Sequence, residues 1–103
     1  EVMLTVVVDN EQILVDNTPV SKTPDVMAQD SLRVGSMSEL LMEKRKEEQD
    51  AAMRRGEDAS ETGKVIVQID KNIPYDVMYK VMATCGASGY GNIAFAVMQR
   101  IGG

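Results

Sequence analysis

The chain contains no histidine, no tryptophan and a single cysteine, Cys85. The absence of histidine excludes histidine general bases, Cys–His nucleophile pairs and the usual zinc sites. One cysteine cannot form a disulfide within the chain, so packing alone must hold the fold together. Because Cys85 follows Val77 and Val81 at helical spacing, we expect its thiol to be buried and unreactive.

Basic residues and long apolar runs are also scarce. Lys and Arg number 11 against 16 Asp and Glu, for a formal net charge of -5, whereas a nucleic-acid-binding domain needs a basic face. No stretch approaches the roughly 20 apolar residues of a membrane-spanning helix. With 103 residues, of which 44% are apolar, the chain fits one folded domain, residues 1–103, with a modest core.

The first half of the chain predicts a hairpin and a long helix. The apolar, β-branched stretches 2–8 and 12–16 flank the turn-forming pair Asp9-Asn10, which indicates two antiparallel strands. Residues 17–34 are polar and contain two prolines, so we expect a flexible loop there, with a short strand or turn near 26–34.

The long helix is predicted over residues 37–55. Ser36 and Glu39 have the spacing of a capping box before it. Its inner face would contain Met37, Leu40, Leu41 and Met53, with a contribution from Ala51 and Ala52. The charged middle of this helix is interpreted as a solvated face. The segment 56–63, rich in Gly, Ser and acidic residues, is predicted to be a second flexible loop.

The second half predicts a β-α-β unit. Residues 64–70 form the clearest strand, Pro74 suits the first turn of a helix, and Gly89 suits a left-handed helix terminator before a last strand, "NIAFAVMQ". A strand, helix and strand in this space make a right-handed crossover with parallel strands. The predicted fold is an α/β (α+β-like) two-layer sandwich, β-β-α-β-α-β, with two helices on one face of a mixed sheet.

Asp70 and Lys71 lie at the carboxyl end of a predicted parallel strand, where α/β sheets often bind ligands. No glycine-rich phosphate loop follows, so nothing indicates a nucleotide cofactor, and no residue pattern indicates a metal. Asp70, Lys71 and Asp76 could form a small carboxylate-based active site. We favour turn and cap chemistry for these acids, because they have no histidine or metal partner.

The stretch from residue 64 to residue 99 resembles the periplasmic domain of the ExbD/TolR family. The resemblance is carried by a hydrophobic strand that ends in Asp70-Lys71, followed by Pro74-Tyr75, Val77, Val81-Met82, Gly89 and an aliphatic last strand. The opening hairpin fits the first two strands of the family more loosely. We interpret Asp70, Lys71, Pro74 and Tyr75 as a structural and interaction corner without catalytic activity.

The resemblance implies a non-enzymatic role in energy transduction driven by the proton motive force. Members of the family work beside an ExbB/TolQ-like proton-channel subunit in the inner membrane and pass work to a TonB/TolA-like partner. It also implies an N-terminal transmembrane helix that carries the proton-accepting Asp and lies outside this chain, which would make the chain the periplasmic domain of a single-pass protein. The alternative is a TolR-like module that binds peptidoglycan.

The strand patterns predict a homodimer that forms by sheet pairing. In the first and last strands both faces are largely apolar, yet helices in a two-layer fold cover only one. The residues predicted to form the dimer or partner strand are Leu4, Val6, Val8, Ile93, Phe95 and Val97. An alternative is that segment 17–34 folds over the second face of the sheet.

Overall fold

A computed structural model describes residues 3–59 and 62–98. In chain order, these residues form β1 (Leu4–Val8), β2 (Gln12–Val15), β3 (Thr18–Lys22), α1 (Thr23–Ala28), α2 (Gly35–Arg54), β4 (Lys64–Asp70), α3 (Tyr75–Ala87) and β5 (Asn92–Met98). The Cα atoms extend over 45 × 32 × 19 Å, and the smallest dimension suits two layers packed about 10 Å apart. The predicted two-layer fold with a mixed sheet is confirmed.

The five strands form one mixed sheet in the order β3-β2-β1-β4-β5. β1 pairs antiparallel with β2, which confirms the hairpin, and parallel with β4. β4 pairs parallel with β5, which confirms the β-α-β unit with α3 as the connection. The carboxylate of Asp9 fixes the hairpin turn, since its Oδ1 accepts hydrogen bonds at 2.8 Å from the backbone N–H groups of both Glu11 and Gln12.

The core lies between one face of the sheet and the helices. Every second residue of β1 and β4 is buried, while the intervening side chains are half-buried on the opposite face. The buried apolar side chains of the described residues are Leu4, Val6, Val8, Ile13, Val15, Val26, Val34, Met37, Leu41, Ala52, Val65, Val67, Ile69, Val77, Val81, Cys85 and Tyr90. Aliphatic residues therefore supply almost the whole interior.

The prediction of an irregular loop over residues 17–34 is wrong. Residues 18–22 form β3, which pairs antiparallel with β2, and residues 23–28 form α1 with a proline in its first turn. Val26 and Val34 belong to the same core as the other helices, so the segment does not cover the second face of the sheet. The fold therefore has one strand and one helix more than predicted.

The N-terminus of α2 differs from the prediction in its cap. The helix begins at Gly35, and its N-cap residue, Val34, makes no side-chain cap hydrogen bond, so the predicted capping box is wrong. The hydroxyl of Ser36 instead forms a 2.6 Å hydrogen bond with the hydroxyl of Ser21, at the end of β3. The Ser36 side chain thus ties the helix to the edge of the sheet.

The inner face of α2 agrees with the prediction except at Met53. Met37 and Leu41 are fully buried, whereas Met53 is 69% exposed. A helix of 20 residues is about 30 Å long, far longer than the four- and five-residue strands β2 and β3 that it contacts. Its last turn is nevertheless buried at Ala52 and exposed at Met53.

The segment after α2 contains neither strand nor α-helix at 56–59 and 62–63, in agreement with the predicted loop. Residues 60–61 of that loop, residue 2 of the predicted hairpin and residue 99 of the predicted last strand lie outside the described residues. The mobility expected for 17–34 and 56–63 stays a prediction.

The helix after β4, α3, agrees with the prediction. It buries Val77, Val81 and Cys85, and Gly89 beyond its end has a φ of 97°, as expected of a left-handed terminator.

A buried lysine joins α3 to the end of α1. The ammonium of Lys80 donates hydrogen bonds to the backbone oxygens of Val26, at 2.9 Å, and Gln29, at 2.7 Å. These are carbonyls of the last turn of α1 and its C-cap, which have no intrahelical donor. A six-residue helix is too short to be stable alone, so we infer that this contact fixes it.

Replacing Lys80 tests that inference. In Lys80→Met the side chain keeps similar bulk but leaves both carbonyls without their donor, so we expect the free energy of unfolding to fall by about 2 kcal/mol in urea denaturation. Lys46→Met, at an exposed position of α2, is the matched control and should change stability by less than about 0.5 kcal/mol. Equal stability of the two variants would contradict the role of Lys80.

Candidate functional site

Asp70 ends β4 and organises the turn that follows. Its side chain is 3% exposed, and its Oδ1 accepts a hydrogen bond from the backbone N–H of Asn72 at 3.0 Å. Its backbone oxygen accepts from the N–H of Ile73 at 3.0 Å, while the N–H of Lys71 donates to Met98 at 3.1 Å. The Asp70 carboxylate therefore makes a hydrogen bond to the turn of the kind expected from the sequence.

The other residues of the predicted corner face solvent. Pro74 precedes α3 with φ -59° and ψ 147°, and Tyr75 begins the helix. Tyr75 is 72% exposed, and its ring stacks on that of Tyr79 with centroids 6.4 Å apart. Asp70 is thus an internal anchor, while Lys71, Pro74 and Tyr75 form an accessible surface beside it.

The two acids of the hypothetical active site lie in different environments. Asp70 is buried in the turn, whereas Asp76 is exposed in the first turn of α3. There its negative charge interacts favourably with the positive end of the helix dipole. Within residues 3–59 and 62–98, no group of three His, Cys, Asp or Glu residues could hold a metal ion. That the corner lacks catalytic activity stays a prediction.

The predicted partner residues divide between the core and the surface. Leu4, Val6 and Val8 are at most 5% exposed, and their strand, β1, is paired on both sides. On β5, by contrast, Ile93 is half-buried, while Phe95 is 41% and Val97 66% exposed. The structure therefore brings only the β5 members of the set to the surface.

The edges of the sheet differ in how they are protected. β3 contains Pro19, ends in Lys22 and pairs irregularly with β2, features that discourage further strand pairing. β5, seven residues long, contains neither a proline nor a charge, and β4 is its only strand neighbour in the described sheet. The contrast between the two edges could not be predicted from the sequence, because residues 18–22 were predicted to be a loop and not the opposite edge strand.

Cys85 is fully buried on the inner face of α3. Burial raises the pKa of its thiol from 9.0 to about 12, because the thiolate would be desolvated. The nucleophilic thiolate is therefore very rare at neutral pH, in agreement with the prediction of an unreactive cysteine.

Comparison with protein families gives one match. The sequence profile described as "Biopolymer transport protein ExbD/TolR" matches residues 2–100. The chain belongs to the ExbD/TolR family. Curated proteins and solved structures yielded no match to this ExbD/TolR chain. In the part of the chain that the structure describes, no helix is long and apolar enough to cross a membrane.

Substituting Asp70 in this ExbD/TolR domain should affect stability. Asp70→Ala removes the acceptor for the N–H of Asn72, so we expect a loss of about 1–2 kcal/mol in unfolding free energy, measured by urea denaturation. Asp70→Asn retains a side-chain oxygen and should lose less. The control Asp76→Ala should lose under about 0.5 kcal/mol.

The interpretation of Asp70 as a structural residue also predicts that these variants lose no enzymatic activity. Hydrolytic turnover by the wild type that disappears in Asp70→Asn would overturn it.

The buried thiol predicts how stability depends on pH. The unfolded thiol ionises near pH 9 and the folded one near 12, so the unfolded state releases a proton first. Stability is thus full below pH 9 and falls by about 1.4 kcal/mol per pH unit towards pH 12. In Cys85→Ala this component of the slope should disappear, as measured by urea denaturation at several pH values.

Ionisation of Tyr90 also lowers the stability of the fold as the pH rises. Burial, together with its hydrogen bond to Glu48, raises the pKa of Tyr90, so the unfolded state releases this proton first above about pH 10. Tyr90 is present in both the wild type and Cys85→Ala. The difference between their slopes of stability against pH therefore gives the contribution of Cys85 alone. Identical slopes would show that the thiol is not protected in the folded state.

Proposed function

We propose that this domain is the periplasmic part of a proton-motive-force energy-transduction subunit. In the proposal, an ExbB/TolQ-like proton channel in the inner membrane drives the subunit, and the domain passes work to a TonB/TolA-like partner. Family membership supports the general role in biopolymer transport. The observation that carries the specific proposal is the open edge of β5, where Phe95 and Val97 are exposed.

The chemistry of β5 suits association with another strand. Its outer backbone N–H and C=O groups have no neighbouring strand in the described sheet and can form a ladder with an added one. Phe95 and Val97 are in register with the buried Val67 and Ile69 of β4 and lie on the same face of the sheet as they do. An added strand could extend the sheet and cover these apolar side chains.

The connection of β5 to the rest of the sheet suits the transmission of force. The register with β4 runs without interruption from Lys64↔Asn92 to Asp70↔Met98, and β4 pairs in turn with β1. A pull along β5 would be shared by all of these pairs and carried into the centre of the sheet. The domain would thus act as a mechanical adaptor with no catalytic activity of its own.

Two occupants of this edge follow from the proposal. A second copy of the chain could pair through its own β5, which gives the predicted homodimer, or an extended segment of the envelope-spanning partner could pair with it. A strand edge accepts one neighbour at a time. Dimerisation and partner binding at β5 should therefore compete.

A charge placed on β5 tests the proposal. In sedimentation velocity at tens of micromolar, the wild type should form a dimer, and Val97→Lys should be monomeric because a lysine ammonium at the edge must be desolvated on pairing. The matched control is Met53→Lys on α2, since Met53 is 69% exposed and Val97 66%. We expect the control to dimerise as the wild type does.

A peptide with the sequence of a TonB-like strand extends the test. It should convert the wild-type dimer into a peptide-bound monomer and should fail to bind Val97→Lys. A wild type that stays monomeric and binds no such peptide would exclude the proposal. Retention of Val97→Lys on insoluble peptidoglycan, without dimer or peptide binding by the wild type, would favour the peptidoglycan-binding alternative.

A further inference from the structure

Arg45 of α2 lies between two glycine turns, at the end of the sheet opposite Asp70. The turns precede β4 and β5, and Gly63 and Gly89 have φ values of 86° and 97°, which favour glycine. A Cβ atom on Gly63 would lie 2.9 Å from the Gly89 oxygen and 3.1 Å from Arg45 Cζ. A Cβ atom on Gly89 would lie 3.0 Å from Arg45 Cγ. The two glycines thus make room for the arginine side chain.

Three hydrogen bonds hold the guanidinium of Arg45 in place. Its Nε donates to the backbone oxygen of Gly89 at 2.9 Å, its Nη1 to the hydroxyl of Thr62, and its Nη2 to the backbone oxygen of Ala59 at 3.4 Å. The Cζ atom also lies 5.9 Å from the centroid of the Tyr90 ring. All three acceptors are neutral oxygens, and a guanidinium has five N–H donors, so two of them have no acceptor among the described residues.

Beside this guanidinium is a cavity of about 490 Å³. Arg45, Thr62, Lys64 and Asn92 line it together with the glycines of the two turns. Lys64 and Asn92 are register partners on the adjacent parallel strands β4 and β5. The fold therefore brings two cationic residues and an asparagine to the lining of one hollow, which we term the Arg45 pocket.

The charge around the Arg45 pocket contrasts with that of the whole chain. The chain carries a net charge of -5, yet none of the described residues that line the pocket is an Asp or Glu. Among the described residues the ion pairs are Lys44–Asp16 and Arg55–Glu57, so within residues 3–59 and 62–98 neither Arg45 nor Lys64 has a carboxylate within 4.0 Å. Glu48 is an acid bonded to the residues around the pocket. It accepts hydrogen bonds from the Tyr90 hydroxyl and, at 3.4 Å, from the N–H of Gly63.

We propose that the Arg45 pocket binds an oxyanion, a carboxylate or a phosphate group of a ligand. A guanidinium with two remaining N–H donors can bind such a group in a bidentate manner. Because the fold already fixes the orientation of the Arg45 guanidinium, binding would not have to order it. Lys64 supplies a second positive charge, and the amide of Asn92 can donate a further hydrogen bond. The inference does not depend on strand pairing at β5.

The test uses inorganic phosphate and acetate as probes in ¹H–¹⁵N NMR titrations at constant ionic strength. Each of the two salts represents one of the two oxyanion geometries. We expect at least one of them to cause saturable shifts in the amide signals of Gly63, Gly89 and Gly91 and in the Nε–H signal of Arg45. Chloride over the same range should cause none. Shifts that are linear, spread over the surface or equal with chloride would overturn the proposal.

Variants at the two ends of β4 provide the matched comparison. Lys64→Met should weaken the binding of the probe about tenfold, whereas Lys71→Met, which removes the same charge at the opposite end of the strand, should leave it within about twofold. Equal weakening in both variants would reduce the effect to general electrostatics and overturn the site. Neither lysine side chain makes a hydrogen bond in the described structure, so both variants should fold; thermal melts verify this.

Repeating the titration in Val97→Lys separates this inference from the proposed function. That variant should bind the probe as the wild type does, because residue 97 lies near the carboxyl end of β5 and the pocket at its amino end. Loss of anion binding in Val97→Lys would show that the pocket depends on association at β5 and would contradict the inference as stated.

Discussion

The burial of every second side chain along β1 and β4 fixes the position of almost everything else in the domain. Leu4, Val6 and Val8 lie in register with Val65, Val67 and Ile69, and all six face the helices. A slip of one residue in either strand would turn its apolar set to the other face, so the register is strongly specified. With this parallel pair in the centre, the hairpin must extend the sheet on one side and β5 on the other.

The two outer strands that result differ in what they can do. The edge at β3 is short, contains a proline and pairs irregularly, while β5 is continuous, uncharged and partly uncovered by the helices. The domain thus offers one edge for association and discourages it at the other. In the proposed association at β5, such a bias would favour a defined pair over open-ended stacking of sheets, because each copy has only one suitable edge.

Polar side chains also connect the helices and turns to one another. Lys80 holds the end of α1, the hydroxyl of Thr84 accepts a 3.0 Å hydrogen bond from the N–H of Val34, and Arg45 joins α2 to the two glycine turns. In the described structure every buried side-chain nitrogen and oxygen has a hydrogen-bond partner. The contacts Arg45–Gly89, Thr84–Val34 and Lys80–Val26 join residues 44, 50 and 54 positions apart.

The sequence alone determined the elements whose signals are local. The hairpin around Asp9, the strand 64–70, the helix after Pro74 and the parallel last strand all follow from alternation, helical spacing and turn residues close together in the chain. The tertiary structure decided the rest. β3 shows no alternation of buried residues and α1 buries only Thr23 and Val26, so neither has a strong local signal. α1 is joined to α3 by a hydrogen bond from Lys80, 54 residues from Val26. Likewise, alternation showed that Leu4, Val6 and Val8 share a face but not that β1 is an interior strand, because strand order is set by pairing between distant segments.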